Sequence, residues 1–431
     1  MPDHHQAASL ALDCMRKSGA SEAQAVCSVS HKEELNFALG EINLLRSTTD
    51  YSLSISAIRD QRKAQLGLNR LDPASIDFAC AELRSLGEAG APDPAFGFSK
   101  VAAQKKFSHG LLEPDLEKMR MRMDEFLAAV KERHPTIILE EGFVDYVRTD
   151  TACLNSHGAE FRVRHGNYGM SFMFSAKSGS RGSGFNYTYG QMKDLSRPLL
   201  DLFGSSTILR QATGQLDRQP VPEKFTGDLM VTPQCLGDLL DHYLGYLADS
   251  PLINGTSVFR DKLGARIASP MLSVRSDPHH PELALHEFFE AEGFESEPMD
   301  VIKGGVLKSF LLSHYGASKT GRPRALSSGS RISVSAGDTS KEELQRSMKK
   351  GILLCRFSGG RPSLNGDFSG VAKNSYYVEN GEIRYPVSET MVSGNLLQLF
   401  ESLRGVSRER IAYGTKILPW ILSGGVTVSG K

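Results

Sequence analysis

Alternating apolar and polar residues dominate the first third of the chain, after one amphipathic opening segment. Residues 6–18 bring Leu10, Leu12, Cys14 and Met15 to one side and predict a helix. After GASEAQAV come VCSVSHKEELNFAL, INLLRSTT, YSLSISAIRD and RKAQLGLNR, with turns at LGEI and RDQR. Alternation over such short runs predicts antiparallel strands with one solvated face. LDPASIDFACAELRSLGEAG then predicts a helix, with Asp72 as N-cap, Pro73 in the first turn and Gly87 or Gly90 at its end. PDPAFGFSK reads as a linker-like loop. Residues 113–133 predict a long helix closed by Pro135, in which Met119, Met121 and Met123 are packing and surface residues. From Ile137 to Ser178 the pattern is strand-like again.

The second half begins after a softer stretch, QATGQLDRQPVPEKFTGD, the best candidate boundary. It divides the chain into 1–215 and 216–431. TPQCLGDLLDHYLGYLADS follows as an amphipathic helix. Leu236, Leu239, Leu240, Tyr243, Leu244 and Leu247 form one apolar stripe, and Asp238, Asp241, His242 and Asp249 lie off it. Beyond, strands with Gly-rich turns dominate, interrupted by two short helices near 340–350 and 393–404. No solenoid repeat is visible. The fold class expected is α+β: N-terminal helices packed on an antiparallel sheet, followed by a β-rich C-terminal domain.

Composition narrows the function classes. The 431 residues are 40% hydrophobic and 23% charged, and Lys+Arg and Asp+Glu both number 50. A net charge of zero argues against a general nucleic-acid binder, which needs a basic surplus. No run approaches the roughly 18–20 apolar residues of a membrane span. The opening residues do not read as a signal peptide. Six scattered cysteines without a CxxC pair suggest reduced, cytoplasmic usage.

Candidate chemistry is sparse. Asp238 and His242 are one helical turn apart, and with Asp241 they could share a ligand. Zinc, however, takes at least three N, S or O donors, and a solvated acidic face is the plainer reading. DPHHPELALHEFFEAEG gathers His279, His280, His286, Glu287 and Glu290, but H-E-x-x-H is not completed, and a surface loop with incidental histidines outweighs a metal site. AKSGSRGSG lacks the context of a phosphate loop and reads as a hairpin tip. No G-x-S-x-G elbow occurs. Residues 357–395 hold tight-turn signals at Asn365-Gly366 and Asn380-Gly381. They build either plain β-turns or a groove wall to which a peptide could add as a strand.

In that segment Asn365-Gly366-Asp367-Phe368-Ser369, Tyr377-Val378-Glu379-Asn380-Gly381-Glu382-Ile383, Tyr385-Pro386-Val387 and Ser393-Gly394-Asn395 resemble the TldD/PmbA (TldE) family. GASEAQA, LGEINLLRST, the LDPASID helix, FRDKLGARIAS, EAEG and KGGVLKSFLLSHYGASKTG extend the resemblance over nearly the whole chain. It implies two α+β parts and a cytosolic TldD–TldE peptidase system that processes unfolded peptides. In the TldD-type partner a helix bears H-E-x-x-x-H, its glutamate serves as base, and a later cysteine completes the zinc ligands. Here Asp241 stands at the first histidine, His242 at the glutamate and Tyr246 at the second histidine. RIAYGTKILPWILSGGVTVSG has no cysteine. The resemblance therefore implies a PmbA/TldE-like member without catalytic residues, metal or cofactor of its own, the zinc being expected in the partner. Its partner is a TldD-like chain in a heterodimer, or a second copy in a homodimer. Its substrate is an unfolded peptide, with no nucleic acid and no membrane. The family's link to DNA gyrase finds no support in the neutral charge. Peptide-groove candidates are Asn365, Gly366, Asp367, Phe368, Ser369, Tyr377, Gly394 and Asn395. Two other readings stay open: a self-standing metallopeptidase using Asp238, Asp241 and His242 or the His279–Glu290 cluster, and a homodimeric peptide-binding scaffold.

Overall fold

Asp3 opens the first helix, α1 (His4–Lys17), by accepting from the Gln6 amide while Gln6 accepts from the Asp3 amide. The structure is a computed structural model and describes residues 3–388 and 390–430. Ala7, Ala8, Ala11, Leu12 and Met15 of α1 are buried, and Leu10 and Cys14 are half-buried. The small alanines let the helix lie close on the sheet beneath it.

That sheet is built from β1 (Glu22–Ala38), β2 (Glu41–Arg59), β3 (Arg62–Leu68), β4 (Gln104–Gly110), β5 (Ile137–Asn155), β6 (Glu160–Ser178), β7 (Arg181–Gly182) and β8 (Asn186–Met192). The order is β3-β2-β1-β5-β6-β4, with β7 and β8 also on β6. The hairpins turn at Leu39-Gly40 and Asp60-Gln61, all four residues at positive φ. α2 (Pro73–Ala89) is capped by the Asp72 carboxylate, which accepts from the Ser75 amide at 2.9 Å. α3 (Leu116–Arg133) buries Met119 and Met123 and exposes Met121.

One face of β1 serves two cores. Ala23, Ala25 and Cys27 lie with α1 and α2 at one end, and Leu35 and Phe37 lie with α3 at the other. The period of two places all five on the same side.

Two features depart from the expected pattern. β4 runs parallel to β6, with Phe107 opposite Val163 and His109 opposite His165. The segment around PDPAFGFSK is irregular but packed rather than linker-like. Phe98 and Ser99 are 1% exposed, the Phe98 amide donates to Glu22 Oε2 at 3.0 Å, and Asn155 Nδ2 donates to the Ser99 carbonyl at 2.8 Å. These bonds satisfy backbone that burial would otherwise leave unpaired.

The chain leaves the first sheet at Met192 and enters the second at Phe225, passing through α4 (Ser205–Gly214). The second sheet is mixed and larger. Its strands are β9 (Phe225–Val231), β10 (Val274–Ser276), β11 (Met299–Lys303), β12 (Val306–Leu307), β13 (Ile332–Val334), β14 (Lys350–Leu354), β15 (Arg356–Gly359), β16 (Asp367–Lys373), β17 (Tyr376–Glu379), β18 (Glu382–Pro386), β19 (Met391–Asn395), β20 (Leu403–Ala412) and β21 (Lys416–Ser429). The main path is β12-β11-β10-β13-β21-β9-β14-β17-β18, with β13 parallel to β21 and β14 parallel to β9. The fold is α+β, helices on a largely antiparallel sheet followed by a β-rich half. α5 (Pro233–Gly245) lays its stripe against β21 in the largest core. α8 (Lys341–Arg346) and α9 (Leu396–Glu401) fall where short helices were expected. α6 (Asp249–Ile253) and α7 (His314–Thr320) add to them. Asn380 (φ 52°) and Gly381 (φ 79°) make the expected hairpin turn between β17 and β18.

Candidate functional site

The stripe of α5 fixes which of its residues meet solvent. Leu236, Leu239, Leu240, Tyr243 and Leu244 are buried, so Asp238 and Asp241 are turned outward, with His242 half-buried. Tyr243 donates its hydroxyl to the Ile267 carbonyl at 2.5 Å inside the core. The polar side is met at the start of the same strand, β21, on which the stripe packs. Lys416, the first residue of β21, places its ammonium on the Asp241 carboxylate. Burial raises the Asp238 carboxyl above the ordinary carboxylate range. Asp241 adds to the rise, while Lys416, His242 and Arg356 pull against it.

Tyr246, just past the end of α5, points the other way. It is 8% exposed, meets Phe259 edge to face at 6.0 Å, and donates to the Ser363 carbonyl at 2.7 Å. Burial and the nearby Asp367 raise its phenol above the usual tyrosine range. Tyr246 thereby ties α5 to the turn before β16.

That turn is a knot of side chains. Asn365 Nδ2 donates to Asp367 Oδ2 at 2.8 Å, and Asn395 Nδ2 donates to the Asn365 carbonyl at 2.8 Å and to Asp367 Oδ1 at 2.9 Å. Asn395 also caps α9, accepting from the Leu397 and Gln398 amides. Gly366 has φ +92°, which a side chain resists. Asn365, Gly366, Asp367, Gly394 and Asn395 are thus brought together where β16 pairs with β19, next to exposed Ser369. Phe368 and Tyr377 are not part of that surface. Phe368 is 5% exposed, and Tyr377 is 3% exposed, stacked on Tyr385 at 5.2 Å in another part of the sheet.

Among the described residues no group of three or more His, Cys, Asp or Glu side chains is placed to hold a metal ion. Cys355 is no reactive thiol, because burial pushes it up to about 12. Sequence reasoning missed a cavity of about 280 Å³ between the halves, at the N-terminus of α5. Asn186, Gln234, Cys355, Tyr413 and Trp420 are among its walls. Trp420 is the single tryptophan, and Lys341 lies 4.8 Å over its ring. Tyr413 and Trp420, close together in the sequence on either side of the start of β21, were the available signal.

The expected surface loop at 277–293 is not one. It is irregular, without a helix to set His286 and Glu290 on a common face. Phe288 stacks on Phe107 at 4.5 Å, Phe289 on Phe161 at 5.4 Å and His286 on His109 at 3.5 Å, so the segment lies against β4 and β6. Glu290 is buried and meets Arg324 at 2.8 Å, and burial pushes its carboxyl up to about 7 against that pull. No described helix is long and apolar enough to cross a membrane.

Comparison with known proteins gives a consistent picture. Residues 226–430 match the model of the PmbA/TldA metallopeptidase C-terminal domain. The chain is 24% identical over 412 residues to the metalloprotease PmbA of Escherichia coli, covering 88% of this chain and 87% of that one. A metalloprotease PmbA homolog of Haemophilus influenzae is 24% identical over 430 residues, covering 93% and 90%. Among solved structures, TldE from Thermococcus kodakarensis superposes with a TM-score of 0.82 at 19% identity, over 98% of this chain and all of that one. A candidate modulator of DNA gyrase from Bacteroides thetaiotaomicron superposes with 0.86 at 23% identity, over the whole of both chains.

Proposed function

Because this chain belongs to the PmbA/TldD family, we propose that it is the TldE-like, non-hydrolytic subunit of a two-chain metallopeptidase. A TldD-like chain supplies the zinc, and this chain helps enclose an unfolded peptide. The observation that carries the reading is the state of the three motif positions on α5. Asp241 is neutralised by the Lys416 ammonium. His242 has no second imidazole on its helix. Tyr246 is a buried donor whose hydroxyl is already used. A zinc site needs at least three donors free to converge, and an ammonium on one of them opposes a second cation by Coulomb repulsion. The residues present do not fit a hydrolytic zinc on α5, so no step is routed through one here.

The peptide-facing role draws on the exposed Asn365–Asp367–Asn395 knot and the cavity at the start of α5. Both flank the helix that bears the degenerate positions. The chain has no basic surplus to favour nucleic acid. The test is reconstitution. The purified chain, a TldD-like chain with intact H-E-x-x-x-H, and the mixture are assayed on an unfolded peptide. Cleavage is expected only from the mixture, with co-elution of the two. Cleavage by this chain alone at the rate of the mixture, abolished by His242→Ala, refutes the proposal and favours a self-standing enzyme.

A further inference from the structure

A second cavity between the halves, of about 220 Å³, shares no wall residue with the one at the start of α5. Its charged walls are all cationic. Arg218, Arg356 and Lys373 line it, and no Asp or Glu among the described residues does. Asp217, next to Arg218 in the sequence, is taken by Arg181. None of the three wall cations is in an ion pair among the described residues.

Two of these cations are held against their mutual repulsion. Arg356 of β15 and Lys373 of β16 are register partners in an antiparallel pair. Such partners have Cβ atoms roughly 5 Å apart on one face, and like charges there destabilise the pair. Arg356 is also fixed in place. Its guanidinium lies 4.9 Å from the Phe185 ring and 4.6 Å from the Tyr187 ring, a stacking that leaves the N–H edges of the plane to donate. Arg218 Nη2 donates to the Gly182 carbonyl at 3.0 Å, which anchors that side chain as well.

The cavity also has an acceptor. Gln215 is 1% exposed; its Nε2 donates to the Ser375 carbonyl at 3.2 Å, and its Oε1 is enclosed without a partner. Turning the amide over would set oxygen against the Ser375 carbonyl, so Oε1 keeps its position and calls for an N–H or O–H. Cations for an anion and an acceptor for a donor complement a peptide residue that carries a carboxylate and its own amide N–H. β15 packs on α5, and Arg356 pulls on the Asp238 carboxyl, so the cavity adjoins the polar side of that helix.

We propose that this cavity binds a peptide carboxylate on Arg218, Arg356 and Lys373, with the N–H of the same residue donated to Gln215 Oε1. The site rests on the peptide-facing reading above and gives it an anchor. A C-terminal carboxylate and an Asp or Glu side chain share this chemistry, and the experiment separates them.

The full chain is titrated at pH 7.5, by fluorescence anisotropy, with three labelled unfolded peptides of otherwise equal sequence. One has a free C-terminal carboxylate and no acidic residue, one a C-terminal amide and a single internal Glu, and one a C-terminal amide and no acidic residue. The same peptides are titrated into the mixture with a TldD-like chain whose motif Glu is changed to Gln, so that nothing is cleaved. A carboxylate peptide is expected to bind at least about tenfold more tightly than the carboxylate-free one. Whichever of the first two does so names the source. Arg356→Gln and Lys373→Glu each remove that advantage, whereas Arg84→Gln on α2 leaves it. Lys373→Glu sets opposite charges on the register pair, so its urea midpoint does not fall and its loss of binding is no loss of fold. Equal binding of all three peptides, an advantage that survives both variants, or one lost equally with Arg84→Gln overturns the carboxylate site and leaves the peptide reading standing. No binding of any peptide, to the chain or to the mixture, overturns both.

Discussion

Tyr246 is where the α5 reading is most exposed to experiment, because it stands where the family resemblance puts a zinc-binding histidine. Two substitutions separate its roles. Tyr246→Phe keeps the ring against Phe259 and removes only the 2.7 Å bond to the Ser363 carbonyl. Ser363 is exposed, so water can take up its carbonyl, and the cost is about 0.5–1.5 kcal/mol. Tyr246→His loses that bond and about 1 kcal/mol of apolar burial. It also buries imidazole nitrogens without assured partners, at about 1–3 kcal/mol. The expected order is parent, then Phe, then His, with His about 2.5–5.5 kcal/mol below the parent. Equilibrium urea unfolding reads this as midpoint shifts at constant m. Zinc is then added to parent and Tyr246→His alike. A site on α5 holding zinc a hundredfold below the added concentration raises stability by about 2.7 kcal/mol. Any zinc increment here is expected to be equal in the two proteins. A Tyr246→His variant as stable as the parent, or one stabilised by zinc more than the parent, refutes the claim that this position is structural.

Four further outcomes are expected. Lys416→Met costs less than about 1 kcal/mol in urea unfolding, because the Asp241 carboxylate is half exposed; carboxyl NMR shows Asp238 titrating higher once Lys416 no longer pulls it down. Glu290→Gln flattens the stability–pH profile: a carboxyl raised from 4.5 to about 7 contributes fully below pH 4.5 and loses that contribution as pH rises through 7, and glutamine has nothing to lose. Asn395→Ala removes the cap of α9 together with the bonds to Asn365 and Asp367, lowering the urea-derived stability by about 1–2 kcal/mol. Gly110→Ala puts a Cβ 1.8 Å from the Gly166 carbonyl at a residue with φ +75°, and a loss of more than about 3 kcal/mol or failure to accumulate folded protein is expected.

What the sequence discloses is what neighbours along the chain decide. Asp72 caps α2, Leu39-Gly40 and Asp60-Gln61 turn the hairpins, and Asn380-Gly381 turns β17 into β18, all from local stereochemistry. The α5 stripe likewise follows from its period. The parallel β4–β6 pair was not legible, since its partners are 56 residues apart and nothing in QKKFSHG names the strand it joins. The His109–His286 stack is farther still from local cause. Taken alone, 277–293 has the polarity of a surface loop, and its burial comes from strands more than a hundred residues upstream. The one signal was the match of spacing between Phe107 and His109 and between His286 and Phe288, whose rings pair off across the contact.

The three positions that the family resemblance sets against the zinc motif, 241, 242 and 246, differ in how freely they can change. Positions 241 and 242 are off the apolar stripe and meet water or one lysine, so a carboxylate, an imidazole or an amide there alters surface charge and little else. Position 246 faces inward, and its occupant must fill a pocket beside Phe259 and hydrogen-bond the Ser363 carbonyl. Placing a histidine at 246 therefore requires rebuilding the turn before β16 along with the side chain. The stripe makes no such demand, because Leu236, Leu239, Leu240, Tyr243 and Leu244 hold the helix against β21 whatever the polar side carries. Packing against the second sheet is thus sufficient to hold α5 in place whatever its polar side carries.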